Sequence, residues 1–260
     1  MSNERTAKRR FIAACTFLFA LSATATVLGS LSMPSRGMPM PGGWTMSMAW
    51  MRMPGQGTFG FVAMFLGMWT VMMTAMMLPS LAPMLWRQRV AAIHAGASHT
   101  GRSTLLAGAG YLFVWSLCGL PVFALGVLLA SIAMRSPALA RAAPLAAVAV
   151  VLLVGALQFS QWKARHLACC RPESVCACMP DEPASAWWHG VRLGLRCCQC
   201  CAGLTAALLV AGIMDLPAMA LVTLAISAER LASDGQRVAR AVGVGLLGAG
   251  MLLLAHAVMA

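Results

Sequence analysis

Six long apolar stretches, separated by loops that carry arginine or lysine, constrain this chain more than any single motif does. They run over 11–33, 59–78, 104–134, 144–162, 203–228 and 238–258, and each approaches or exceeds the roughly 20 residues an α-helix needs to cross a bilayer. Hydrophobic residues make up 60% of the chain and charged ones 10%, which is outside the range of soluble domains. The strict alternation of an outer-membrane barrel is missing. The reading is an all-α, polytopic membrane helix bundle of about six transmembrane helices. It forms a single integral membrane domain over 1–260, with a first span at 10–33, a methionine-rich outer loop at 34–57 and a core at 59–258. The third stretch extends past the bilayer. The fifth holds Asp215 and Pro217 and is expected to break near them.

Charge sets the orientation. Arg5, Lys8, Arg9 and Arg10, then Arg87, Arg89 and Arg102, then Lys163, Arg165, Arg171, Arg192 and Arg196 fall on one side of a six-span bundle. They outnumber Arg36, Arg52, Arg135, Arg141, Arg230, Arg237 and Arg240 on the other. The positive-inside rule then places both termini in the cytoplasm, and the expected location is a bacterial inner membrane. The net charge of +12 is scattered over loops, so the partner it implies is the anionic lipid bilayer and not nucleic acid. Arg9 and Arg10 before an apolar run, with Ala23 and Ala25 after it, have the layout of a signal peptide. The apolar character continues to Met33, so an uncleaved anchor is expected.

Two populations of soft ligands stand apart on this topology. Met64, Met68, Met72 and Met76 recur every four residues, so a helix stacks their thioethers in one stripe about 18 Å long. Phe65, Trp69, Met73 and Met77 form the row beside it. The outer loop adds Met33, Met38, Met40, Met46, Met48, Met51 and Met53. Thioethers select soft metals such as Cu(I), although methionine is also an ordinary filler of helical cores. On the inner side, eight of the ten cysteines, Cys169, Cys170, Cys176, Cys178, Cys197, Cys198, Cys200 and Cys201, lie in or just after a cysteine-rich loop at 163–201. Thiols persist on that reducing side. The run Cys197 to Cys201 holds two overlapping C-x-x-C pairs, a spacing that binds zinc or Cu(I) or forms redox pairs. Softness on both sides favours Cu(I), with zinc as the alternative.

The segment from Trp69 through Met72, Met73, Ala75, Met76, Met77, Pro79 and Ser80, followed by Pro83, resembles the signature W-x-x-M-x-x-A-M-M-x-P-S of domain-of-unknown-function family 2182. That group is described as metal-binding integral membrane proteins. Lys163, Leu167, Cys170 and Arg171 match its K-x-x-C-L-x-x-C-R segment, and Cys197, Cys200 and Cys201 match its C-x-x-C-C. His166 stands where the family has cysteine, and histidine also binds metals. The resemblance covers roughly residues 60–250. It implies a metal ligand set drawn from Cys170, Cys197, Cys200, Cys201 and His166, and it implies no reaction.

Other positions are read individually. Pro79 and Pro83 are expected to end the methionine helix. Asp215, placed about 21 Å into the fifth span, is a candidate for ion coordination or proton coupling; the alternative is that it ends one helix near the outer surface, with a second short segment following. Glu229 and Arg230 are read as a helix-terminal pair at the surface. Gly243 to Gly250 suit close packing within the bundle. Nucleotide-binding and Ser-His-Asp patterns are lacking. Two functions fit: Cu(I) handling or transport, with a metallochaperone or metal-acceptor protein as partner, and a membrane thiol oxidoreductase using Cys197 to Cys201. An assembly subunit with a structural metal site is the third.

Overall fold

In the computed structural model, which describes residues 2–32, 37–52, 55–97, 99–170 and 182–259, the apolar stretches become helices and set a helical bundle. Its α-helices are α1 (Ser2–Ser32), α2 (Thr58–His94), α3 (Thr100–Arg135), α4 (Pro137–Leu157), α5 (Gln161–Cys170), α6 (Pro183–Ala211), α7 (Leu216–Leu231) and α8 (Gly235–Met259). Six of them, all but α5 and α7, are long and apolar enough to cross a membrane.

Contacts between helices fix their directions. Phe11 stacks on Trp86 at 5.4 Å, so α1 starts beside the end of α2. Helix α3 runs back along α2: the Trp69 indole donates to the Trp115 carbonyl at 2.8 Å, and Phe61 meets Phe123 at 5.0 Å nearer the start of α2. Helices α3 and α6 are parallel, because Gly110 faces the Trp187 carbonyl while Cys118, two turns on, faces Cys198. Helix α8 runs antiparallel to α4: Gly243 packs on Gln158 and Phe159, and Gly250 on Leu152. The glycine-rich packing expected of 243–250 is therefore between helices of one bundle, with Gly245 and Gly248 facing open space.

The fifth stretch is the main correction. It is not one span broken in place but two antiparallel legs. Gly212 takes φ +132°, a conformation that favours glycine, and ends α6. Pro217 sits in the first turn of α7, where its missing N–H costs nothing. Met214, in the connection, accepts from the Ser30 hydroxyl at 2.9 Å, whereas Glu229 at the far end of α7 meets Lys163 and Gln158. Helix α7 thus adds a pass through the bundle, and α8 ends at the end opposite to the start of α1. The expectation that both termini share one side is overturned by this added leg. Arg237 and Arg240, both exposed, move with it to the end that holds the N-terminal cations, which sharpens the charge asymmetry.

One further expectation changes. Helix α2 passes through Pro79 and Pro83 and continues to His94. Buried Leu81, Met84, Leu85, Gln88 and Ala92 hold the extension, and the Ser80 hydroxyl satisfies the Met77 carbonyl at 3.0 Å. The outer loop is ordered in part as a hairpin, β1 (Met38–Met40) with β2 (Trp44–Met46), followed by a one-turn 3-10 helix at Met48–Trp50. The Trp44 indole ties this hairpin to the Ala140 carbonyl at the start of α4.

Candidate metal centre

Helix α6 carries a buried stripe of Leu193, Gly194, Cys197, Cys200, Cys201, Leu204 and Leu208, the i, i+3, i+4 spacing of a core-facing helix. Its neighbour α3 comes unusually close. A side chain at Gly190 would strike the Ala107 carbonyl, and one at Gly194 would lie 2.9 Å from Val114. This approach brings Tyr111, the only tyrosine in the chain, onto Cys197: its hydroxyl donates to the sulfur at 3.0 Å. The cysteines predicted as a loop cluster are thus built into the middle of a helix and packed inside the bundle.

The thiols of Cys170, Cys200, Cys201 and Cys197 form a row. Cys197 and Cys201 sulfurs are 3.7 Å apart, one helical turn along α6. Cys200 interacts with both Cys201 and Cys170, and Cys170, reaching in from α5, donates to the Arg196 carbonyl at 3.1 Å. Exposure of these four residues is 3% or less. Hydrogen bonding to Cys200, reinforced by burial, pushes the Cys170 thiol above its ordinary pKa. Among the described residues, no group of three or more histidine, cysteine, aspartate or glutamate side chains is arranged to hold a metal ion as it stands. The thiols are a row, not a shell.

Two buried cations flank it. Arg230, on α7, donates through Nη1 to the Ser80 hydroxyl at 2.8 Å and to the Cys197 sulfur at 3.3 Å, and its Nη2 lies 3.7 Å from the Met84 sulfur. At the other end, the Lys163 ammonium meets Glu229 at 2.6 Å and the Cys200 carbonyl at 2.9 Å. Gln158 donates to the second Glu229 oxygen at 2.7 Å. Burial opposes the charge on Lys163, yet Cys200 and the Glu229 carboxylate hold its pKa above the usual lysine value. The surface pair read from the sequence at Glu229 and Arg230 is instead 1% and 3% exposed. A cavity of about 110 Å³ lined by Gln158, Trp162, Lys163, Cys200 and Gly203 among others abuts this end of the row.

The methionine rows converge on the same interior. Met72, Met73, Met76 and Met77 are each 2% exposed or less and share one core with Cys197, Cys200 and Cys201. Met68 is half-buried and Met64 is 43% exposed, so the stripe of four leaves the core at its outer end. At the outer end of the buried thioethers, the Phe65 ring packs against those of Trp50, from the outer loop, Trp69 and Phe123, with centroids 5.1–6.2 Å apart.

Two predicted residues are not brought to the row. The His166 ring packs on Trp162 at 4.4 Å. Asp215 is exposed at the end of the bundle and caps α7, accepting from the Ala218 N–H at 2.8 Å. Cys176 and Cys178 lie outside the described residues. Sequence reasoning missed Tyr111, Met84 and the burial of Glu229 and Arg230, and carried Ser80 only as a motif position. The adjacent charges at the end of an apolar sixteen-residue helix were the available signal.

A family model described as PpoB2, copper chaperone, matches residues 66–253. The match takes in the buried methionines, all four thiols of the row and both flanking cations, and leaves out the outer hairpin. No curated protein and no solved structure matches the chain.

Proposed function

The chain belongs to the PpoB2 copper chaperone family, and on that premise we propose that it is an integral membrane protein that holds Cu(I) on the thiols of Cys170, Cys197, Cys200 and Cys201. The observation that carries this reading is the buried thiol row between Arg230 and Lys163. Cu(I) is the soft ion that matches thiolates and thioethers together. It needs fewer donors than the four of a structural zinc site, which suits a row that offers neighbouring pairs. Thiols bind by losing protons, so metal loading leaves negative charge in the core. Arg230, which donates to Cys197 and forms no ion pair among the described residues, is the group placed to tolerate it, whereas Lys163 is already paired with Glu229.

In this reading Met72, Met73, Met76 and Met77 line the approach to the row, and the ion passes inward or outward by exchange between weak soft sites. Met68 belongs to the same stripe, nearer the outer end. Delivery to a metallochaperone or metal-acceptor protein follows from the chaperone family. The resemblance to family 2182 is part of the same reading, because its motif positions are the thiols and methionines that share the core. The inner membrane of a bacterium, with the arginine-rich end in the cytoplasm, is the location that fits the charge distribution.

The test is the metal content of anaerobically purified protein, measured by mass spectrometry. The control variant replaces Cys197, Cys200 and Cys201 with serine. Copper that falls in the variant supports the reading. One zinc per chain points to a structural site, and no metal with a reversible disulfide points to thiol oxidoreductase chemistry on the same residues.

A further inference from the structure

Cys118 and Cys198 form a second thiol centre that is separate from the row. Their sulfurs face each other at 3.4 Å across the seam between α3 and α6, and both residues are half-buried, unlike the four enclosed thiols. The separation is well beyond an S–S bond of about 2.05 Å, so both are free thiols. The two helices approach closely, with Gly110 against the Trp187 carbonyl and Gly190 and Gly194 against α3, so the two thiols stay within reach of one ion when their side chains turn. Cys198 directly follows Cys197, which places the two thiol centres on adjacent residues of one helix and on different faces of it.

We propose that Cys118 and Cys198 bind a second soft monovalent ion, Cu(I), between their two thiolates. The inference rests on the copper-holding reading above. Two thiolates suit Cu(I), whereas zinc in a structural site asks for four ligands. Binding releases two thiol protons and changes no oxidation state. The pair is half-buried, whereas the four thiols of the row are 3% exposed or less.

The experiment titrates the full-length protein in detergent with Cu(I) under anaerobic conditions and counts bound ions by native mass spectrometry. Four forms are compared: wild type, Cys118→Ser with Cys198→Ser, Cys197→Ser with Cys200→Ser and Cys201→Ser, and the variant with all five replaced. Cys169, Cys176 and Cys178 are kept in all four, so any ions they bind cancel. The expected result is one ion fewer in the pair variant, and an ion retained in the triple variant that disappears when the pair is also replaced. Mapping of alkylated peptides gives a readout on the wild type itself: Cu(I) should protect Cys118 and Cys198 from a maleimide reagent. Equal stoichiometry in wild type and pair variant, with both thiols still labelled in the presence of Cu(I), overturns the second site and leaves the first intact. A Cys118–Cys198 disulfide in the anaerobic protein also overturns it. A wild type that takes up no Cu(I) at all overturns both readings.

Discussion

Lys163 and Glu229 meet at 2.6 Å from positions 66 residues apart, and both are nearly inaccessible to solvent. The pair joins α5 to α7 and puts an ammonium against the Cys200 carbonyl. Removing one partner of such a pair leaves an uncompensated buried charge and costs about 3–5 kcal/mol. Glu229→Ala should therefore lower the thermal midpoint in detergent sharply, and Glu229→Ala with Lys163→Met should recover most of the loss. A double variant no better than the single one would mean that the pair is not the unit that matters.

Tyr111 supplies a smaller but more local effect. Its hydroxyl donates to Cys197 and also accepts from Arg230 at 3.4 Å. Tyr111→Phe keeps the ring and removes the donor, so stability should fall by only about 0.5–1.5 kcal/mol. Copper retention under a competing chelator should fall as well, because Cys197 loses its hydroxyl partner. Unchanged retention would separate Tyr111 from metal holding and leave it a packing residue.

The helices were legible because bilayer length and apolar composition leave few alternatives, and the family motifs pointed to the residues that share the core. The turn at 212–215 was harder. An uninterrupted apolar count over 203–228 reads as one span, and only the conjunction of Gly212, Asp215 and Pro217 marks a reversal. That leg, read from the sequence only as the alternative at Asp215, carries Arg230 from the surface to Cys197 and moves one terminus across the bundle. The cysteines show the same limit. Spacing groups Cys197, Cys198, Cys200 and Cys201, but helical geometry splits them, and Cys198 turns to Cys118, a partner 80 residues away that no local pattern reveals.

Glycines on α6 and α8 differ in what surrounds them. A methyl group at Gly190 would collide with the Ala107 backbone carbonyl, which has little room to retreat. Gly190→Ala should destabilise by roughly 1–3 kcal/mol, the usual range for overpacking. Gly245 faces open space, so Gly245→Ala should be neutral or stabilising by up to about 1 kcal/mol through helix propensity. Thermal unfolding of the two variants side by side checks the α3–α6 seam, and equal effects would refute its close packing.

Thioether chemistry is testable without large changes in shape. Met72, Met73, Met76 and Met77 are fully buried, and leucine replaces methionine at a cost usually below about 1.5 kcal/mol. Replacing Met72 and Met76 together should leave expression and folding intact while copper accumulation or tolerance in cells declines. Adding Met68→Leu should deepen the effect. Metal content that does not move in the triple variant would rule out passage along the stripe and return these side chains to core filling.

Asp215 separates a capping role from a coupling role. Its carboxylate closes the first turn of α7 by accepting from Ala218, at an exposed position on the bundle's end. Losing a cap costs about 1 kcal/mol. Asp215→Asn keeps a good capping side chain and removes the charge, whereas Asp215→Ala removes both. If capping is the whole role, the asparagine variant should match wild type in stability and copper content, and the alanine variant should lose only stability. A fall in copper accumulation in the asparagine variant, with stability unchanged, would show that the charge itself is used.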